Sequence, residues 1–248
     1  MKLTTITFTT VLTAIVSGQS LSFNIPASNI EGRADANGLV YQGDGAGGPG
    51  RTADTTLGGI EILINERNGM SVSEQAIAFC VEFDTPVWLG DHTYDITTDL
   101  SSIDGGLAAG LSNTQVGQLS YLFDTYYQDS VRAEWDGTTN NNGYDQVFQF
   151  ALWELTHDDD LSLSDPSGNF YTTEASTLES DAQDILDEIA GSMFDFSDYT
   201  STEWEIYSIT NENTQNLIYA KPLSHIPEPS TIMLSLIAAL SFITKRKR

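Results

Sequence analysis

The chain of 248 residues contains one cysteine, Cys80. A lone thiol excludes an intramolecular disulfide framework, the usual staple of exported domains, and leaves either a small buried hydrophobe or a reactive group. Positive charge is nearly as scarce. Ten Lys and Arg face 35 Asp and Glu, a formal net charge of −25. A balance so acidic disfavours nucleic acid and anionic lipid as partners and suits solubility outside a cell. No apolar run reaches the roughly 20 residues of a permanent membrane span. No Gly-x-Ser-x-Gly, His-Glu-x-x-His or phosphate-loop pattern occurs, and there is no internal repeat.

The two ends differ from the rest. Met1-Lys2 precedes an apolar stretch through Val11, Leu12, Ile15 and Val16, then the small residues Ser17, Gly18, Ser20 and Ser22. This is the make-up of a secretory signal peptide over residues 1–22, with cleavage expected between Gly18 and Ser22. The other end runs from Pro227-Glu228-Pro229 through an apolar stretch, residues 232–243, to Lys245-Arg246-Lys247-Arg248. The basic cluster is expected to stay cytoplasmic, and the short apolar run fits a transient anchor. In that order the three parts resemble the PEP-CTERM sorting signal, over residues 226–248. The resemblance implies processing by a membrane-embedded exosortase and display at the surface or in the extracellular matrix of a Gram-negative-type bacterium. Without the two ends, the basic residues are Arg33, Arg51, Arg67, Arg132 and Lys221.

Between the ends, residues 23–222 read as one functional unit. The Gly-rich residues 41–59 are expected to be a flexible loop. Strand-like runs fall at 60–64, 76–83 and 92–97, with Ala76, Ala78, Cys80 and Glu82 on one face of the second and Ile77, Phe79, Val81 and Phe83 on the other. The period then becomes helical: from Asn113, a plausible N-cap, through Val116, Leu119, Leu122, Phe123, Tyr126, Tyr127 and Val131; over 144–156; and over 174–190. Strands return at 204–209 and 215–220 as a hairpin around the polar turn 211–214. The fold class expected is α+β, a strand-rich subdomain built from both parts of the chain with a helical subdomain inserted between them.

The chemistry centres on Cys80, in Ala78-Phe79-Cys80-Val81-Glu82-Phe83, and Gln149, in Val147-Phe148-Gln149-Phe150-Ala151-Leu152-Trp153. Each alone has an ordinary structural reading. Together with Gln215 in Gln-Asn-Leu-Ile, they resemble the thioester domains of bacterial surface adhesins, over about residues 57–220. By that resemblance Cys80 supplies the thiol, Gln149 the acyl group, and Ala151, Trp153 and Gln215 the supporting motifs. The chain departs from the pattern at Glu82, where those domains carry Asp or Asn, and in lacking Leu-Pro-x-Thr-Gly. Phe79, Phe83, Phe148, Phe150 and Trp153 can shield such an ester from water. Lys221 would be the single lysine available to consume it.

The function expected is covalent adhesion to a surface or matrix molecule that bears an amine or hydroxyl, by a stoichiometric event and not by an enzyme. A non-covalent matrix- or carbohydrate-binding protein is the alternative, and a secreted hydrolase a third reading. No cofactor and no metal are expected. The run Asp158-Asp159-Asp160, with Asp165 and Asn169 beyond, lacks the glycine of an EF-hand and reads as a solvated loop. His92, His157 and His225 are scattered and form no evident catalytic set.

Overall fold

A computed structural model describes residues 19–25, 35–41, 51–56, 58–82, 90–103, 110–128, 143–158, 160–166, 168–172, 177–211 and 215–223. The signal-peptide core, Phe83, the far end of the first helical run, His225 and the whole C-terminal sorting segment lie outside the described residues. No helix among the described residues is long and apolar enough to cross a membrane.

Six strands close into an antiparallel barrel: β1 (Gln19–Ile25), β4 (Ile60–Arg67), β5 (Met70–Cys80), β9 (Leu217–Pro222), β8 (Trp204–Thr210) and β6 (Gly90–Thr97), in that spatial order. Closure comes from β1, which pairs with β4 on one side and β6 on the other. Its alternation, with Leu21, Phe23 and Ile25 buried, matches that of β4, where Ile60, Ile62 and Ile64 are buried. A closed sheet removes the unpaired edges that invite aggregation. The strand begins inside the expected cleavage window, so a cut after Gly18 keeps it whole. The β4–β5 hairpin turns at Asn68-Gly69, both with positive φ, the conformation a two-residue hairpin loop requires.

A second sheet has the order β3-β2-β7, from Arg51–Thr56, Asp35–Tyr41 and Phe170–Thr172. The expectation of a loop over 41–59 is therefore corrected at 51–56. Arg-Thr-Ala-Asp-Thr-Thr has little apolar content, and its strand is defined by pairing with β2, which no local pattern announces. β5 likewise begins at Met70, before the expected 76, because its exposed first half pairs with β4.

The helices lie between β6 and β8 in the chain, giving a mixed α+β fold. α1 (Asn113–Leu122) continues as a π-helical turn, Phe123–Tyr127. Its N-cap is Ser112, not Asn113: the Ser112 side chain accepts from the N–H of Gln115, whose side chain returns to the Ser112 N–H. This reciprocal capping box satisfies two otherwise orphaned donors. α2 (Tyr144–His157) is buried on nearly every side, packed among α1, β7 and α3 (Thr177–Gly191). A helix buried on nearly every side is a central helix, and here it carries Gln149.

Candidate functional site

The approach of α2 to β5 follows from where β4 stops. Ile60 pairs with Ala78, and Gly58, at φ +115°, turns the chain away toward Asp145 at the start of α2. Cys80 thus lies two residues past the last β4 pair of β5, while Phe79 pairs with Ile218 of β9 and the Val81 N–H donates to the Asn216 carbonyl just before β9. Gln149 fills the position. Its Oε1 accepts from the Cys80 N–H at 3.0 Å, and its Nε2 donates to the Cys80 carbonyl at 2.7 Å. The carboxamide stands in for the missing strand residue, and its carbonyl carbon is held beside Cys80. Gln149 is 1% exposed and Cys80 7%.

This arrangement supplies two elements of acyl chemistry. A backbone N–H aimed at a carbonyl oxygen stabilises the negative charge that forms there when a nucleophile adds to the carbon. The amide nitrogen, the group that would leave, is held on a separate acceptor. Around them Phe79 packs on Phe148 with ring centroids 4.6 Å apart and on Tyr127 at 6.1 Å, while Phe123 meets Phe148 edge-on at 5.2 Å. Phe150 and Trp153 are buried with centroids 6.4 Å apart, and Ala151 is fully buried. These residues leave little room for water on the helical side of the pair.

Gln215 has a different part from Gln149. Its Nε2 donates to the Glu82 carbonyl, while Asn216 Nδ2 donates to Glu82 Oε1 at 2.8 Å and the Asn216 N–H approaches Oε2 at 3.3 Å. The pair clamps the chain leaving Cys80, and for this reason β9 begins at Leu217 and not at 215. It also explains a glutamate at position 82: its longer side chain reaches across to Asn216.

Three supporting residues were not apparent in the sequence. The Tyr127 hydroxyl enters between β5 and β9 where their ladder ends, with Ile77 O at 2.8 Å and Ala220 O at 3.1 Å, and accepts from the Ala220 N–H at 3.3 Å. Burial raises its pKa above the ordinary tyrosine value. Gln115 Nε2 donates to Leu155 O and Asp158 O, covering carbonyls at the end of α2. Glu154, on α2, is buried beside Asp158 and Asp160. Its carboxyl is pushed up to about 9, by burial first and then by the Asp158 charge. Only the capping box of Gln115 carries a sequence signal, in Ser112-x-x-Gln115.

His157 is brought to none of this chemistry. It is buried, with Nδ1 3.1 Å from Trp153 O and its ring 6.1 Å from Phe170, and burial lowers its pKa to about 3. His92 packs against Phe23 and Tyr94 on the barrel. The Lys221 ammonium lies over the Tyr207 ring at 5.1 Å and 3.6 Å from Glu205.

No family model matches the chain, and no curated protein matches it. Among solved structures, the chain is similar to the N-terminal domain of the Streptococcus pyogenes pilus tip adhesin Cpa. The likeness has a TM-score of 0.39 and 14% identity, covering 77% of this chain and 98% of that one.

Proposed function

We propose that this chain is an exported adhesion domain in which Cys80 and Gln149 form an internal thioester. The observation that carries the reading is the two-point hydrogen bond between the Gln149 carboxamide and the backbone of Cys80. The Cys80 sulfur adds to the Gln149 carbonyl carbon, and charge develops on Oε1 against the Cys80 N–H. The C–N bond then breaks, and the nitrogen departs as ammonia with the thiol proton. In the second stage an amine or hydroxyl of a target surface adds to the same carbon. It leaves an amide or ester on Gln149 and returns the thiol to Cys80. Each molecule reacts once, so the event is covalent capture without turnover. The strong negative charge, −25 over the whole chain, would concentrate cationic amines near the domain, and salt would slow their capture.

A second reading is favoured by the same hydrogen bonds. Both polar atoms of Gln149 are satisfied, as a purely structural buried glutamine requires. The domain would then bind matrix or carbohydrate non-covalently. To separate the two, wild type and Cys80→Ala are incubated with amine-bearing matrix material and boiled in denaturant. Adducts that survive with wild type alone support capture by the thioester. Equal native retention with nothing surviving denaturation supports the second reading.

Display would rest on the terminal segments, with removal of the signal peptide and processing at Pro227-Glu228-Pro229. Replacing those three residues by alanine is expected to hold the protein at the inner membrane. Undiminished surface display of that variant would overturn the assignment.

A further inference from the structure

The end of α2 opposite its start at Tyr144 gathers negative charge where a helix least tolerates it. Glu154 lies in the last turn and Asp158 is the C-cap; together with Asp160 they place one carboxylate oxygen each within 4.8 Å of one another. A helix C-terminus already carries partial negative charge. Among the described side chains the only Lys and Arg are Arg67 and Lys221. Both are on barrel strands and engaged there, Arg67 with Glu74 and Tyr219, Lys221 with Glu205. Two of the three acids are buried.

A separate observation points to a missing ligand. Glu154 Oε1 accepts from the Ser162 N–H at 2.9 Å, but Oε2 is closed off from solvent and accepts no hydrogen bond among the described residues. A fully buried carboxylate oxygen with no donor is costly unless a cation or a proton meets it. The loop is also shaped around the cluster. Asp158 Oδ2 accepts from the N–H groups of Asn169 and Phe170. A Cβ on Gly168 would collide with that same oxygen and crowd Asp160 Oδ2, so a larger residue here would push these carboxylates aside.

We propose that Glu154, Asp158 and Asp160 bind a hard divalent cation of the calcium type, which fastens the end of α2 to the loop entering β7. The donor set is all oxygen, which suits Ca²⁺ and offers no nitrogen or sulfur to softer metals. The loop alone reads as solvated because Glu154, which completes the cluster, belongs to the preceding helix. Three protein carboxylates leave the remaining coordination to backbone carbonyls or water, the make-up of a weak extracellular site. This cation site does not depend on whether the thioester forms.

The test is calorimetric titration of Ca²⁺ into the full chain after chelator treatment, with thermal unfolding in parallel. One site of Kd about 10⁻⁴–10⁻³ M is expected. About 10 mM Ca²⁺ should then raise the unfolding temperature by roughly 3–11 °C. Glu154→Gln, nearly isosteric, and Asp160→Asn, at an exposed position, should each abolish the binding heat and the shift. Asp181→Asn, exposed on α3, should keep both. Absence of binding heat in wild type would overturn the proposal, leaving a proton shared between Glu154 and Asp160 as the occupant. A response that persists in both site variants would overturn it as well, since Ca²⁺ would then be acting only on the overall negative charge.

Discussion

If Cys80 and Gln149 are joined, opening the bond should weaken the fold by an amount set by the loop that it closes. That loop spans about 70 residues, and chain entropy assigns a cross-link of this length about 4 kcal/mol of stability. It would join β5 of the barrel to α2, two elements that otherwise meet through the Phe79–Phe148 contact and the two hydrogen bonds at Cys80. For a domain of this size, about 4 kcal/mol corresponds to a fall of roughly 8–15 °C in unfolding temperature. The perturbation is methylamine, which converts Gln149 to its N-methyl amide and returns the thiol without altering the chain. Calorimetry before and after treatment gives the difference. All scans are run at one rate, because unfolding exposes the ester to water and makes the transition irreversible. Cys80→Ala treated in the same way is the control and should not change. If mass spectrometry shows complete opening while the unfolding temperature falls by less than about 2 °C, the bond is not a staple between the two layers.

Other outcomes test the surroundings of the pair. Tyr127→Phe removes the hydroxyl that bridges Ile77 and Ala220 and should cost about 1–3 kcal/mol in urea unfolding. Tyr126→Phe, whose hydroxyl meets the exposed Glu188, should cost less, and equal losses would refute the bridge. Tyr127 and Tyr219 have pKa values raised in the folded state, chiefly by burial and to about 12 for Tyr219. Stability should therefore be complete below pH 10 and fall as pH rises from 10 toward those values, since the unfolded chain loses these protons first. The measurement uses Cys80→Ala, which has no ester to hydrolyse, and a flat profile from pH 9 to 11 would contradict it. N-terminal sequencing of the exported protein should begin at Gln19, which preserves β1; a start after Ser22 would remove half of the strand that closes the barrel.

The elements visible in the sequence are those with a buried face of regular period. The residues around Ile60–Arg67, Tyr144–His157, Trp204–Thr210 and Leu217–Pro222 mark themselves in this way, and the observed boundaries differ from the expected ones by a few residues. β3 is silent because its residues are polar and its order comes from a partner strand. The pairing of Cys80 with Gln149 was legible only through the resemblance of their motifs. No local pattern indicates that β4 ends one pair short and leaves the Cys80 backbone for a side chain to meet. Tyr127 and Glu154 are hidden for a related reason. One reads as an ordinary helical aromatic and the other as an ordinary helical acid, and only the packed structure places a split ladder against the first and two aspartates against the second.

The most direct test of the thioester is the intact mass of the mature domain, taken under native-like, amine-free conditions. Loss of one ammonia should make wild type about 17 Da lighter than its sequence, with Cys80→Ala and Gln149→Ala both at full sequence mass. A wild-type mass equal to that of the sequence, with a thiol that titrates on gentle unfolding, would contradict the thioester and leave Gln149 as a structural glutamine.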